Sequence, residues 1–277
     1  MRFAICNETF QDWPLERAFG LASECGYGGV EIAPFTLAED VRKIPAGKRR
    51  EIRDRAAAAD LEVVGLHWLL AKTKERYHLT TPEVEVRART AEYLAELARL
   101  CAELGGRVLV LGSPQQRNLL PGVTPEEAGR CLADVLGRLL PVLEETGVVV
   151  GLEPLGPEWT DFMCTAAEAV AVAAMVDSPH VRLHLDCKSM ASESVPIPEL
   201  IGRHHRLLAH FHANDPNGQG PGFGDLDFKP VLGALLGVGY EGWVSVEVFD
   251  YGPGIERLVR RSIDYLRACL AEVTRSG

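Results

Sequence analysis

The residues Val148-Val149-Val150-Gly151-Leu152-Glu153 form a short apolar run that ends in a carboxylate, and Val181-Arg182-Leu183-His184-Leu185-Asp186 repeats this arrangement further along the chain. Runs of this length that are rich in valine, isoleucine and leucine are typical of buried parallel strands. Similar runs lie at 3–6, 29–33, 62–67, 107–111, 207–212 and 243–248. Together with the two quoted runs, they predict eight strands.

Helix signals lie between these runs. Thr81-Pro82-Glu83 and Thr124-Pro125-Glu126-Glu127 each combine an N-cap, a proline at the first helical position and acidic first-turn residues. Thr165-Ala166-Ala167-Glu168 has the pattern of a capping box, in which the hydroxyl and the carboxylate each bind a free amide of the first turn. Glycines suited to left-handed helix ends precede several strands, at Gly26, Gly105-Gly106, Gly147 and Gly239.

The alternation of strands and helices predicts an α/β fold, namely a single (β/α)8 TIM-barrel domain over residues 1–277. A length of 277 residues with 47% hydrophobic content is ample for one large core. A doubly wound dinucleotide-binding sheet is disfavoured because no GxGxxG follows the first strand.

Composition narrows the class of function. The formal charge of −10 opposes nucleic-acid binding, which needs a basic face. The seven cysteines are scattered without a CxxC pair, which argues against a disulfide framework or a zinc-thiolate site. We find neither a membrane-spanning apolar run nor the pattern of a signal peptide, so we expect a cytoplasmic protein without membrane contact.

Four successive apolar runs end in a side chain that can bind a metal: Glu153, Asp186, His212 and Glu247. Catalytic side chains of such barrels project from the carboxyl ends of the strands, so these four are expected to converge. Three carboxylates and an imidazole favour one divalent ion such as Mn²⁺, Mg²⁺ or Co²⁺, with Zn²⁺ as an alternative. Any one of the four, taken alone, is more often an ordinary polar group at a barrel end.

Several stretches resemble the xylose-isomerase-like superfamily of TIM barrels and, within it, the sugar isomerase and ketose 3-epimerase group. They are Gly151-Leu152-Glu153-Pro154-Leu155, Thr165-Ala166-Ala167-Glu168-Ala169, Leu183-His184-Leu185-Asp186, His210-Phe211-His212-Ala213-Asn214-Asp215, and Gly239-Tyr240-Glu241-Gly242-Trp243 followed by Val246-Glu247. The resemblance implies that Glu153, Asp186, His212 and Glu247 bind one metal ion. It also implies that Glu153 and Glu247 act as the catalytic acid/base pair.

The implied reaction is isomerisation or epimerisation of a small polyhydroxy carbonyl compound through a metal-stabilised enediolate. The alternative is a lyase that dehydrates a cyclic polyhydroxy ketone of the inosose or dehydroshikimate type, because an enolate can also expel a β-hydroxyl group. A third hypothesis is a non-catalytic binding barrel, which the complete ligand set disfavours.

The chain departs from the epimerase pattern at three positions that contact substrate in that group. Ser189 stands in place of a histidine, Gly218 in place of an arginine and Trp159 in place of a glutamate. These departures from the epimerase pattern disfavour an ordinary free ketohexose as substrate.

Other residues near the predicted strand ends are candidates for substrate contact. Glu31, His67 and Trp68 follow the second and third strands and are expected to face the pocket mouth, while Trp159 is a candidate apolar wall. Lys188 lies close enough to Asp186 to neutralise an anionic group of the substrate. Ordinary packing or solvation is the alternative for each of them.

Two further hypotheses concern neighbours of the site. His210 shares a strand face with His212 and is either a supporting partner of the site or a packed core residue. The glycine-rich loop 214–224 is either a phosphate site, a mobile lid or a plain flexible connection. The resemblance also implies a homodimer or homotetramer. Endonuclease IV shares this fold, but its multi-histidine site is missing from the sequence, so DNA is not expected as a partner.

Overall fold

A computed structural model describes residues 1–276 and shows parallel strands closed into a barrel in sequence order. The strands are β1 (Arg2–Cys6), β2 (Gly29–Ile32), β3 (Glu62–Leu66), β4 (Val108–Leu111), β5 (Val149–Leu152), β6 (Val181–Asp186), β7 (Leu208–Ala213) and β8 (Trp243–Val246). β1 pairs with β8 from Arg2 opposite Trp243 to Ile5 opposite Val246, which closes the ring. The predicted (β/α)8 TIM barrel is confirmed, and the predicted strand limits lie within two residues of the observed ones.

The helices surround the barrel. They are α1 (Leu15–Cys25), α2 (Ala46–Ala58), α3 (Val84–Leu104), α4 (Pro125–Thr146), α5 (Ala166–Val176), α6 (Cys187–Met190), α7 (Ile197–His204), α8 (Phe228–Gly237) and α9 (Ile255–Ser276). Complete capping boxes begin α4 at Thr124 and Glu127, and α5 at Thr165 and Glu168. Within residues 1–276, every helix is too short or too polar to cross a bilayer.

The predicted start of α3 at Thr81 is wrong. The helix begins at Val84 with Glu83 as its N-cap residue. The Thr81 hydroxyl accepts a hydrogen bond from the Glu83 amide at 3.2 Å, and the Thr81 carbonyl accepts one from Arg87 at 2.8 Å. A threonine hydroxyl that bonds to the amide two residues later forms a turn, and this turn precedes the helix. Thr81 therefore does not cap α3.

The inside of the barrel has an apolar layer and a polar layer. Alternate residues of a strand point to the same face, so Arg182, His184 and Asp186 of β6 share one face. A small apolar cluster of Ala4, Val64, Val108 and Val110 is separate from the main core between strands and helices. Towards the carboxyl ends of the strands the interior becomes polar, with buried Glu31, His184, His210 and Ser245.

Candidate metal centre and pocket

The carboxyl ends of the last four strands bring Glu153, Asp186, His212 and Glu247 together. One ligand atom from each lies within 4.8 Å of the others, and all four side chains are buried. Asp186 ends β6 and pairs in register with His212 of β7, while Glu153 and Glu247 directly follow β5 and β8. The described residues thus form a buried donor set that could bind a metal ion.

The charges of this cluster are in conflict without a cation. Burial and the neighbouring charges of Glu247 and Asp186 raise the pKa of Glu153 to about 8. Burial and Glu247 likewise raise the pKa of Asp186 to about 6. A divalent ion would offset this repulsion, so the electrostatics of the cluster fit a metal site.

His212 is held in an orientation that suits a metal ligand. Its Nδ1 lies 3.0 Å from Glu247 Oε2, and its Nε2 lies 3.1 Å from Glu31 Oε1. A histidine ligand commonly donates its second ring N–H to a carboxylate, which fixes the tautomer and leaves the other nitrogen for the metal. Glu31 is placed to accept that N–H, because burial would raise its pKa but His210 and His212 hold it well below the usual value.

Glu31 therefore does not occupy the position predicted for it. It is fully buried inside the barrel and does not line the cavity above the donor set. The strand register explains why the prediction for Glu31 was wrong. Glu31 lies level with Cys6 of β1 and Gly65 of β3, whereas His67 lies two residues closer to the carboxyl end of the barrel. His210 Nε2 lies 2.6 Å from Glu31 Oε2, so His210 is linked to His212 through the Glu31 carboxylate. This fits the role of a supporting partner of the site, one of the two roles predicted for His210.

Asp186 and Glu153 are each fixed by neighbours. The Ser189 amide donates to Asp186 Oδ1 at 2.8 Å, and the Asn214 side chain donates to Oδ2. Arg117 is fully buried and donates to the Glu153 carbonyl at 2.6 Å. A Cβ atom on Gly112 would lie 2.1 Å from Glu153 Oε2, so glycine leaves the room that this carboxylate occupies.

A cavity of about 450 Å³ opens above the four donors. His67, Trp68, Trp159 and Lys188, all predicted contact residues, line it together with the donor set. Trp68 has a left-handed backbone with φ 53°, and its indole Nε1 donates to Glu247 Oε1 at 2.9 Å. The cavity wall and one carboxylate of the donor set are thus directly connected.

Sequence reasoning missed Glu8, which lies in a 3₁₀ turn directly after β1. Its Oε2 is 2.6 Å from His67 Nε2, and both side chains are buried. Phe249 and Arg117 were missed as well, and all three lie outside the predicted strands. The position of Glu8 just beyond the first strand end was the one available signal.

The glycine-rich loop 214–224 packs against the segment after β8. Gly218 O accepts from the amides of Phe249 at 2.7 Å and Asp250 at 2.8 Å. Asp215 accepts from the Leu226 amide at 3.2 Å, and a Cβ on Gly224 would collide with this carboxylate. None of the loop residues lines the cavity above the donor set, so close packing accounts for the glycine at 224.

A parallel eight-stranded barrel with a buried acidic and histidine cluster at its carboxyl-terminal end defines a class of TIM-barrel proteins with a candidate metal site. The profile of the xylose isomerase-like TIM barrel family matches residues 19–269, and the chain belongs to this family.

Relatives that match nearly the whole chain include sugar epimerases. Fructoselysine 3-epimerase of Escherichia coli O157:H7 is 25% identical over 271 residues, covering 95% of this chain and 96% of the relative. The 3-dehydro-D-guloside 4-epimerase of Escherichia coli K12 is 24% identical over 97% of this chain and 100% of the relative. The crystal structure of D-psicose 3-epimerase from Clostridium cellulolyticum H10 with D-tagatose has a TM-score of 0.84 at 18% identity, covering 98% of this chain and 99% of the other, which shows the shared fold.

Proposed function

We propose that the protein is a divalent-metal-dependent sugar epimerase or isomerase in which Glu153 and Glu247 transfer the proton. The observation that carries this proposal is the convergence of these two glutamates with Asp186 and His212 below one cavity. Relatives that match nearly the whole chain are epimerases, which supports the same reaction class.

Glu153, Asp186, His212 and Glu247 would hold the metal ion. When bound, a divalent cation polarises a substrate carbonyl and so makes the hydrogen on the adjacent carbon more acidic. Mn²⁺, Mg²⁺ and Co²⁺ suit the three carboxylates and one imidazole, and Zn²⁺ is the alternative.

The two glutamates reach the cavity from different strands of the ring. Glu153 follows β5 and Glu247 follows β8, so they approach a bound substrate from different sides. One glutamate removes the proton next to the carbonyl, and the other returns a proton to the opposite face or to the neighbouring carbon. Return to the opposite face inverts the carbon, and return to the neighbour moves the carbonyl.

The departures at Trp159, Ser189 and Gly218 favour a substrate other than a free ketohexose. Two relatives that match nearly the whole chain are named for fructoselysine and for a 3-dehydro-D-guloside, and neither compound is a free ketohexose. A mannonate dehydratase of Enterococcus faecalis matches 48% of the chain, which keeps dehydration as the alternative outcome of the test below.

The test is exchange of solvent deuterium into a panel of ketoses, substituted keto sugars and inososes by the Mn²⁺-loaded protein. We expect exchange into one substrate class without loss of water. Glu153→Gln and Glu247→Gln should each lower the rate by about 10²–10⁴-fold, because a positioned acid or base contributes that much. Glu145→Gln, an exposed change on α4, should leave the rate unaltered.

Two results would oppose the proposal. Exchange accompanied by an absorbing enone would identify a lyase, since dehydration leaves a conjugated product. Unchanged exchange in both glutamine variants would remove Glu153 and Glu247 from the reaction.

A further inference from the structure

The outer half of the cavity is a row of aromatic rings. The ring centroids of Trp68 and Phe249 are 6.3 Å apart with 28° between their planes, and those of Phe249 and Trp159 are 6.3 Å apart at 31°. These side chains come from the segments after β3, β8 and β5, so the row crosses the mouth of the barrel. Trp159 is 47% exposed, which leaves a large apolar surface at the cavity entrance.

Lys188 stands beside this row. Its side chain is only 15% exposed, and its Nζ lies 4.6 Å from the Trp159 ring centroid and 5.9 Å from that of Phe249. Its nearest carboxylate is Glu158 Oε1 at 3.5 Å, on a side chain that is 51% exposed. Because the Glu158 carboxylate is half exposed, it gains little from this ion pair and can return to solvent, which leaves the Lys188 ammonium for another anion.

The cavity above the donor set has the volume of an ordinary ligand pocket. A volume of about 450 Å³ is within the range of pockets that hold drug-sized ligands. The donor set occupies the inner end, where the keto and hydroxyl groups of a sugar would bind. The aromatic row and Lys188 line the same cavity without belonging to the donor set, so they are available to contact a substituent on the sugar.

We propose that the substrate is a keto sugar that carries a flat apolar substituent ending in a carboxylate. The flat part would pack against Trp159 and Phe249, and the carboxylate would pair with Lys188. Aromatic rings favour flat partners, and an ammonium shielded from water favours a single negative charge. The placement of the sugar at the donor set rests on the sugar-epimerase function proposed above.

Isothermal titration calorimetry on the Mn²⁺-loaded protein tests this with three matched ligands. They are 1-deoxy-1-(4-carboxyanilino)-D-fructose, the uncharged 1-anilino-1-deoxy-D-fructose, and D-fructose. We expect the protein to bind the anilino sugar about tenfold more tightly than D-fructose, because the aryl ring adds the proposed aromatic contact. We expect it to bind the carboxyanilino sugar about tenfold more tightly again, because the carboxylate adds the contact with Lys188.

Two variants separate the contacts. Lys188→Met keeps the apolar stem and should abolish only the gain from the carboxylate, whereas Trp159→Ala should abolish most of the gain from the aryl ring. Lys229→Met, which changes a lysine on α8 outside the cavity, is the matched control and should bind all three ligands like the wild type.

Equal affinity for the three ligands overturns the inference, and so does an unchanged carboxylate gain in Lys188→Met. Neither result bears on the epimerase function, which the deuterium-exchange experiment tests separately.

Discussion

His212 shows how one residue depends on neighbours from distant strands. Its two ring nitrogens face Glu247 of the donor set and Glu31 of the barrel interior. Glu31 in turn bonds His210, so a chain of buried groups orients the imidazole from below. Histidines that bind metals commonly have such a partner to fix the tautomer, and Glu31 is placed to be that partner if His212 binds a metal.

Trp68 provides a prediction at the same scale. Trp68→Phe keeps an aromatic ring against Phe249 but removes the hydrogen bond from Nε1 to Glu247 Oε1. Because hydrogen bonds to charged groups contribute about 1.5–3 kcal/mol, we expect deuterium exchange to slow by about 10- to 100-fold. The metal stoichiometry should stay unchanged, since all four donors remain.

Trp13→Phe is the control for this change, because Trp13 lies outside the cavity against Phe10 and Arg17. An exchange rate in Trp68→Phe equal to that of Trp13→Phe would show that the indole does not position Glu247.

The strands set the depth at which each polar group lies. β3 and β4 approach so closely that a Cβ on Gly65 would lie 2.2 Å from the Val108 carbonyl. His67 follows two residues later, so this close contact helps to fix the height of His67 at the cavity floor. Side chains that point into a barrel are arranged in layers, and a shift of one strand would move its residues between them.

Gly65→Ala should therefore destabilise the fold, while Gly137→Ala should not. The first change forces two backbones apart, and overpacking of this kind costs about 1–3 kcal/mol in the free energy of unfolding. Gly137 lies inside α4, and a methyl group added there would meet nothing within 4 Å, so alanine should stabilise by about 0.5–1 kcal/mol. Urea unfolding of both variants measures the difference, and equal effects would contradict this explanation of the β3 position.

The fold of the whole molecule could be predicted from the sequence more completely than the arrangement of the candidate site. Strand positions were predictable because buried parallel strands have a strong apolar signature, and the convergence of the four donors follows from their places at successive strand ends. The depth of Glu31 was not predictable, because it depends on inter-strand register. The positions of Glu8 and Phe249 depend on turns and loops whose course no local pattern dictates.

The charge state of the donor set links the metal to pH. The raised pKa of Glu153, about 8, means that this carboxyl keeps its proton in the metal-free barrel at neutral pH. A cation must displace that proton, so its apparent affinity should fall by up to about tenfold per unit as the pH drops below 8. Protonation of Asp186, with a pKa of about 6, should weaken binding further in mild acid.

Whether the four donors hold a metal ion is decided by a calorimetric titration of metal-free protein with Mn²⁺ at pH 6.5 and at pH 8.5. We expect one equivalent to bind, more tightly at pH 8.5, with binding lost in His212→Ala and retained in His205→Ala, an exposed histidine outside the site. Failure of the wild-type protein to bind Mn²⁺, Mg²⁺, Co²⁺ or Zn²⁺ at either pH, or equal binding by His212→Ala, would contradict the assignment of this metal site.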